Sequence, residues 1–146
     1  MPSAELTTEI DAPLEVVYRV ITDYESYPEF LSEMREVHRL GRKKEKARVS
    51  FSLRLIKEFN YVLEFTEKSP SSLKWKLAGG ELFKVNEGEW KLKRGKGSHS
   101  TNATYHLSVE LSLAIPSLIE KQLLEQTLPK TVERFKVRAE RIYLYE

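Results

Sequence analysis

Alternating apolar and polar positions run through the middle of the chain and predict the strands of a sheet. In RVSFSLRLI, Val49, Phe51 and Leu53 fall on one face, whereas Arg48 and Ser50 fall on the other. The same alternation recurs in FNYVLEFTE, LKWKL and ATYHLSVEL. Because a period of two turns one face to a core and the other to solvent, these segments predict an antiparallel sheet.

The segment LFKVNEGEWKLK changes its inward parity partway along. Phe83 and Val85 share one parity, while Trp90 and Leu92 have the other. One extra residue between them would produce this change, so the pattern predicts a β-bulge at Glu87-Gly88. A bulge increases the bending of a strand, as a strongly curved sheet requires.

Two helical segments follow a first strand, AELTTEI. In DAPLEVVYRVITDY the apolar residues have helical spacing: Val17, Val20, Ile21 and Tyr24. Pro13 suits the first turn of this helix, with Asp11 or Ala12 as its N-cap. Asp23 is placed to cap a second, short helix in ESYPEFL.

The last segment predicts one long helix that begins near Ile115 and carries Pro116 in its first turn. Its apolar residues form a stripe at spacings of three and four: Leu124, Leu128, Val132, Phe135, Ala139 and Ile142. The stripe keeps its phase through Pro129, although an interior proline costs a helix about 3 kcal/mol. We therefore expect a kink that lets both halves of the helix follow a curved sheet.

The order of elements is a strand, two short helices, about six strands and a long helix. Because strands and helices do not alternate, the sequence predicts an α+β fold and not a parallel sheet. A curved antiparallel sheet wrapped around the long kinked helix buries every apolar face, and the two short helices close one end. The length of 146 residues fits a single domain, residues 1–146.

The composition is that of a globular protein, with 40% hydrophobic and 32% charged residues. The net charge of +2 is too small to indicate nucleic acid binding by itself, and we expect no specific DNA binding. Cysteine is absent, which excludes disulfides and thiolate chemistry. The N-terminus lacks the features of a signal peptide and no apolar run has membrane-spanning length, so the sequence predicts a cytoplasmic protein.

Motifs for metal or cofactor chemistry are not found in the sequence. His38, His99 and His106 are scattered, with none of the spacings of a metal site. No nucleophile elbow, phosphate loop or dinucleotide fingerprint occurs, so we expect no metal and no cofactor. Acid/base catalysis needs two carboxylates that converge in a cleft. Glu87 and Glu89 form an acidic pair near the change of parity, where the facing of Glu81 and Glu89 stays open, and Glu64 falls on the outward face of its strand. The sequence therefore offers no convincing acid/base pair.

The aromatic residues carry the strongest functional signal. Seven of them come from successive strands and should face the concave side of the sheet: Phe51, Tyr61, Phe65, Trp75, Phe83, Trp90 and Tyr105. Their two interpretations are plain core packing and the wall of an apolar ligand cavity. Tyr61 and Tyr105 would offer hydroxyl groups to a ligand, and Trp75 and Trp90 would offer indole N–H groups. Three residues of the long helix would cover the cavity: Leu124, Leu128 and Val132.

Three stretches cover nearly the whole chain in order: IDAPLEVVYRVITDYESYPEFLSEMREV, GGELFKVNEGEWKLK and IPSLIEKQLLEQTLPKTVERFKVRAERIY. They resemble the polyketide cyclase/dehydrase branch of the START-like (SRPBCC) helix-grip superfamily, which includes coenzyme-Q-binding proteins. The resemblance implies a helix-grip fold, like that of START and Bet v 1 proteins, with a deep cavity between sheet and long helix. In relatives such a cavity holds a lipid, a quinone, a polyketide or another mostly apolar ligand.

Three functions are compatible with these observations. The first is a non-enzymatic carrier or sensor of a hydrophobic small molecule, which the sequence favours. The second is a polyketide cyclase or aromatase, for which no convincing acid/base pair is found. The third is a protein- or ribosome-interaction module, since some relatives are associated with ribosomes. The basic runs GRKKEKAR and KLKRGK at hairpin ends would contact RNA or an anionic membrane, or would merely keep the turns solvated.

Overall fold

Seven antiparallel strands form one curved sheet in the computed structural model, which describes residues 3–145. The strands are β1, Ser3–Ile10; β2, Met34–Lys43; β3, Lys46–Arg54; β4, Glu58–Lys68; β5, Ser72–Gly80; β6, Phe83–Arg94; and β7, Thr101–Leu111. Their order across the sheet is β1-β7-β6-β5-β4-β3-β2. The connection from β1 to β2 therefore runs from one edge of the sheet to the other, and the two short helices occupy it. The predicted α+β architecture is confirmed.

The alternation predicted from the sequence is found in the central strands. Val49 and Phe51 of β3 are buried, while Arg48 and Arg54 are exposed. The edge strand β2 has no such pattern, because Val37 alone among its residues is buried. The sequence therefore predicts about six strands after the short helices without delimiting β2.

The β-bulge predicted at Glu87-Gly88 is wrong. β6 pairs with β7 in unbroken register through that point, and the irregularity lies between Phe83 and Val85. Asn86 instead of Val85 shares the inward face with Trp90. Because an apolar pattern cannot assign a buried asparagine to the core, it places the change of parity too far along the strand.

Two short helices follow β1: α1, Leu14–Thr22, and a 3-10 helix, Tyr24–Glu29. Pro13 occupies the N-cap of α1, so the expectation of Asp11 or Ala12 there is wrong. The extended backbone of Pro13 lets its carbonyl accept the first hydrogen bonds of the helix without a side-chain cap. Asp23 takes the N-cap position of the 3-10 helix, but its side chain makes no capping hydrogen bond.

The two short helices close one end of the curved sheet. The Tyr18 hydroxyl donates to the backbone oxygen of Ser72 at 3.2 Å, and the Tyr24 hydroxyl donates to Glu67 at 2.6 Å. Burial and the nearby Glu67 carboxylate raise the pKa of Tyr18 to about 12, so its hydroxyl remains a donor. Both acceptors lie beside the turn between β4 and β5, which fixes the helices at that end.

The C-terminal helix is long and interrupted. It consists of α2, Ser117–Gln122; a π turn, Leu123–Thr127; a 3-10 turn, Leu128–Lys130; and α3, Thr131–Tyr145. The backbone stays in the right-handed helical region at each junction, so the four segments form one helix across Pro129. None of the helices within residues 3–145 combines the length and apolar character that crossing a bilayer requires.

The π turn explains how the apolar stripe passes Pro129. The Leu128 N–H donates to the Leu123 carbonyl, a step of five residues. Ile119 is buried before the turn and Leu123 at its first residue, and the stripe continues at Leu128, which packs against the core. The extra residue keeps both halves of the helix facing the sheet. Leu124, which the sequence pattern predicts in the stripe, is partly buried against the core, and Leu123 beside it is the fully buried residue.

Candidate ligand cavity

A cavity lies between the concave face of the sheet and the interrupted part of the long helix. Its volume is about 110 Å³. Strands β3 to β7 supply its wall, and Leu123, Leu128 and Phe135 cover it from the helix. The cavity is somewhat smaller than one of roughly 150 Å³ that binds benzene. In this conformation it fits one small apolar group.

One part of the wall is built from stacked and perpendicular rings. Phe51 and Tyr61 lie opposite each other in the pairing of β3 with β4, and their rings stack with centroids 5.2 Å apart. Tyr61 meets Phe83 edge-on at 5.0 Å. Aromatic pairs of this kind add about 0.5–1.5 kcal/mol beyond the burial of their area. They hold this part of the wall in place.

The opposite part of the wall is built around two indole rings. The Tyr105 ring lies between them, 5.6 Å from Trp75 and 4.7 Å from Trp90 between centroids. The Trp75 Nε1 donates to Asn86 Oδ1 at 3.1 Å. Gly88 makes room for two neighbours, because a Cβ atom there would lie 2.3 Å from the His106 backbone oxygen and 2.4 Å from the Trp75 indole. The glycine is therefore required by the close approach of the β7 backbone and of a ring, and not by a bulge.

Tyr27 and Phe135 close the cavity from the side of the helices. Their ring centroids are 5.2 Å apart, and Phe135 also lies 5.4 Å from Trp90. The Tyr27 hydroxyl donates to the backbone oxygen of Ile21, which fixes its ring. Neither residue is predicted from the sequence to line the cavity, although Phe135 belongs to the apolar stripe of the long helix.

Polar, half-buried residues form the rim of the cavity: Glu33, Thr127, Thr131 and Arg134. Arg134 Nη1 donates to both carboxylate oxygens of Glu33, at 2.6 and 2.9 Å, and so connects α3 to the residue before β2. Burial raises the pKa of Glu33, but hydrogen bonds from Arg134 and Ser32 outweigh burial and lower this pKa below its ordinary value. The Glu33 carboxyl is therefore charged at neutral pH.

Eight of the ten residues predicted to line the cavity lie in its wall: Phe51, Tyr61, Phe65, Trp75, Phe83, Trp90, Tyr105 and Leu128. Leu124 and Val132 are not part of the wall. The five-residue step of the π turn brings Leu123 to the cavity in place of Leu124, and Val132 is buried in the neighbouring core. That the eight residues contact a ligand stays a prediction.

Two tyrosine hydroxyls are left unengaged in the cavity wall. Within residues 3–145, the hydroxyl groups of Tyr61 and Tyr105 form no hydrogen bond with the protein. Burial raises the pKa of both tyrosines well above the ordinary value, and the proximity of Tyr105 adds to the shift at Tyr61. Both hydroxyls stay protonated at neutral pH and can donate a hydrogen bond to a ligand. Of the two indoles predicted as donors, Trp75 is engaged by Asn86.

Charged groups of the central strands lie on the outer face of the sheet. His106 is exposed there, as its parity predicts. Glu64 is also on this face and lies 3.6 to 3.7 Å from Lys46, Arg48 and Lys76. In the part of the chain that the structure describes, no group of three His, Asp or Glu side chains could hold a metal ion.

Comparison with known proteins assigns most of the chain to one family. Residues 10–136 match the sequence model of the family described as polyketide cyclase/dehydrase and lipid transport. No curated protein has a significantly matching sequence. The family match covers α1, the 3-10 helix after it and all strands from β2 to β7, as well as most of the long helix.

Solved structures share the fold at low sequence identity. A START superfamily protein from Mycobacterium smegmatis is 20% identical, with a TM-score of 0.81 over 96% of this chain and 98% of its own. The Zhui aromatase/cyclase from Streptomyces sp. R1128 is 13% identical, with a TM-score of 0.82 over 96% and 94%. A STAR-related lipid transfer protein from Xanthomonas axonopodis is 14% identical, with a TM-score of 0.76 over 94% and 85%. At these identities the likeness establishes the helix-grip fold alone.

Proposed function

Because the chain belongs to the polyketide cyclase/dehydrase and lipid transport family, we propose that it binds a hydrophobic small molecule in the cavity. The observation that carries this proposal is an aromatic-lined space with two hydroxyls, those of Tyr61 and Tyr105, that no protein group within residues 3–145 engages. Burial of apolar ligand surface would supply affinity at about 25 cal/mol per Å². The shared fold of a START superfamily protein and a STAR-related lipid transfer protein supports a lipid-like ligand.

The polar groups of the cavity favour a ligand with a neutral oxygen. Tyr61 and Tyr105 can donate hydrogen bonds to a carbonyl, quinone or phenol oxygen deep in the wall. A buried anionic group would need a cation of its own. Arg134 is the cation of the rim, and Glu33 already neutralises it. The ligand would therefore present its polar, uncharged end to the tyrosines.

A ligand larger than one ring requires the cavity to widen. The segment from Leu123 to Lys130 lies above the cavity, and Leu123 is its single buried residue. Pro129 lacks a backbone N–H, so this segment has fewer regular helical hydrogen bonds to break than α3 has. The ion pair between Glu33 and Arg134 holds the helix directly beyond it. Outward movement of the segment would admit a lipid or polyketide, as lids do in other proteins.

A polyketide cyclase or aromatase is the alternative function, since the Zhui aromatase/cyclase has the same fold. Cyclisation requires a group that can take a proton within the cavity. Glu33 is engaged by Arg134, and the raised pKa of Tyr61 and Tyr105 keeps both hydroxyls protonated at neutral pH, so neither tyrosine can take a proton from a substrate. These properties favour binding over catalysis.

Solvent extraction of the purified chain, followed by mass spectrometry, tests the binding function. The wild type should release a roughly equimolar apolar molecule. Thr127→Trp would place an indole in the opening, because Thr127 lines the cavity at its rim. Gln126→Trp is the matched control, since Gln126 is exposed on the neighbouring position and does not line the cavity.

The ligand should be lost from Thr127→Trp and retained in Gln126→Trp. Tyr105→Phe should be as stable as the wild type, because the Tyr105 hydroxyl has no hydrogen-bond partner within residues 3–145. The variant should bind the extracted ligand about tenfold more weakly. A wild-type protein that releases no apolar molecule and binds none of the lipids and quinones offered to it would refute the proposed function. Turnover of a polyketide chain that is lost in Tyr105→Phe would establish the alternative.

A further inference from the structure

The outer, convex face of the sheet carries a concentration of positive charge that takes no part in the cavity. Seven exposed cations, which we call the basic face, alternate with buried residues in β3 to β6: Lys46, Arg48, Lys68, Lys74, Lys76, Lys91 and Lys93. Because the buried residues between them face the core, these side chains point away from it. The basic face lies on central strands and includes four cations of the basic runs GRKKEKAR and KLKRGK: Lys46, Arg48, Lys91 and Lys93.

Strand register places the cations of the basic face in adjacent rows. One row joins Lys46, Thr66 and Lys74, and the next joins Lys68, Ser72 and Lys91. Neighbouring strands are about 4.8 Å apart, and outward residues along one strand are about 6.7 Å apart. The basic face therefore extends over roughly 15 Å in each direction.

Few carboxylates balance the basic face. Glu64, Glu87 and Glu89 lie on the same outward face, so seven cations face three carboxylates. Glu64 lies within 3.7 Å of Lys46, Arg48 and Lys76. The whole chain has a net charge of only +2, and the remaining surface is consequently net negative. A balanced composition conceals this segregation of charge, which would attract a polyanion to one side of the molecule.

We propose that the basic face is a docking surface for the phosphate backbone of double-stranded RNA. The Thr66 hydroxyl lies between Lys46 and Lys74 in one row. In the next row the Ser72 hydroxyl donates to Glu89 at 3.0 Å, so the lysines supply most of the donors there. Lysines together with Ser and Thr hydroxyls are common donors to phosphate oxygens. None of the residues in these rows is aromatic, so the contacts would be with the backbone and not with the bases.

Shape and composition favour duplex RNA over other polyanions. Single strands are held by stacking of bases on aromatic side chains, which these rows lack. Stable membrane binding needs an apolar anchor in addition to basic residues, and the basic face supplies charge without an apolar anchor. The minor groove of A-form RNA is wide and shallow, and a convex face fits it better than the narrow minor groove of B-DNA.

The basic face and the cavity lie on opposite sides of the sheet. In β5, Trp75 lines the cavity, while its neighbours Lys74 and Lys76 belong to the basic face. Docking of RNA is therefore independent of the ligand proposed above, and it can be tested with the ligand present or absent.

Fluorescence anisotropy of the full chain with a labelled RNA duplex of about 16 base pairs tests the proposal. The double variant Lys74→Glu/Lys76→Glu reverses two exposed charges at the centre of the basic face. Lys121→Glu/Arg141→Glu is the matched control, because it makes the same change in net charge at two exposed positions of the long helix. Circular dichroism would verify that each variant is folded.

The wild type and the control should bind the duplex with affinities within about twofold, and the face variant should bind at least about tenfold more weakly. Between about 50 and 200 mM salt, the slope of log K against log salt should become shallower by about two in the face variant. Lys74→Ala/Lys76→Ala should show an intermediate loss.

Equal binding by the wild type and both face variants would overturn the proposal. Tighter binding to single-stranded RNA, to duplex DNA of the same length or to vesicles containing anionic phospholipid would overturn it as well, because the partner would then belong to another class.

Discussion

Replacement of Phe135 by alanine tests whether the aromatic cluster at the cavity holds α3 on the sheet. Phe135 is only 4% exposed, and its ring centroid lies 5.1 to 5.4 Å from those of Tyr27, Phe30 and Trp90. Truncation of a buried phenylalanine to alanine costs about 3–5 kcal/mol. Because one side of this ring already borders the cavity, it has fewer contacts to lose, and we expect a loss of about 3 kcal/mol.

Thermal denaturation followed by calorimetry measures this loss. In a chain of 146 residues, each kcal/mol lowers Tm by about 2–4 °C, so Phe135→Ala should lower Tm by roughly 6–12 °C. Val137→Ala is the matched control, since Val137 lies two residues away in the same helix and is 43% exposed. The control should change Tm by less than about 2 °C. A fall of less than about 3 °C for Phe135→Ala, or equal falls in both variants, would refute the anchoring of α3 through this ring.

Three further predictions concern the wall, the rim and the buried tyrosines. Gly88→Ala should displace the Trp75 indole, change the tryptophan fluorescence and lower the Tm of the protein. Gly79→Ala is the matched control and should be close to neutral, because nothing lies within 4 Å of a Cβ atom at that position. Equal Tm values for the two variants would contradict the close approach at Gly88. Glu33→Gln should destabilise the fold by about 1 kcal/mol or less at neutral pH. Because folding lowers the pKa of Glu33, the difference in urea midpoint between wild type and variant should be complete above the ordinary glutamate pKa of about 4.3 and should shrink as pH falls through the lower folded-state pKa. A difference that is the same at about pH 7 and about pH 2 would count against the ion pair. Folding raises the pKa of five buried tyrosines: Tyr18, Tyr24, Tyr27, Tyr61 and Tyr105. Their contribution to stability is complete below about pH 10. Above that pH the free energy of unfolding falls by about 1.4 kcal/mol per pH unit for each tyrosine, until the folded-state pKa is reached. A urea midpoint that is the same at about pH 9 and about pH 11 would contradict their burial.

The central strands can be predicted from the sequence because each buries one face. In β3 and β4 the alternation of apolar and polar residues follows the pleat without interruption, so the inward rings Phe51, Tyr61 and Phe65 can be assigned from parity alone. The edge strand β2 cannot be assigned in this way. Its position is fixed by backbone pairing with β3, while its side chains are mostly exposed.

The remaining features of the cavity depend on partners that are distant in the sequence. Asn86 is inward because the Trp75 indole, on the neighbouring strand, donates to it. Glu33 and Arg134 are separated by a hundred residues, and each resembles an ordinary surface charge until the helix crosses the sheet. The outward rows of lysines likewise require the strand register, which alternation along single strands does not specify.

The five-residue step from Leu123 to Leu128 is equivalent to one residue inserted into a regular helix. Deletion of one residue from positions 124–127 would turn it into an ordinary α-helical turn and keep both leucines on the inward face. A second insertion would instead rotate α2 by about 100° relative to α3 and carry Ile119 out of the core. The segment above the cavity is thus a position where the helix can be shortened without losing its packing. Changes of chain length there would alter the depth of the cavity while the sheet beneath stays the same.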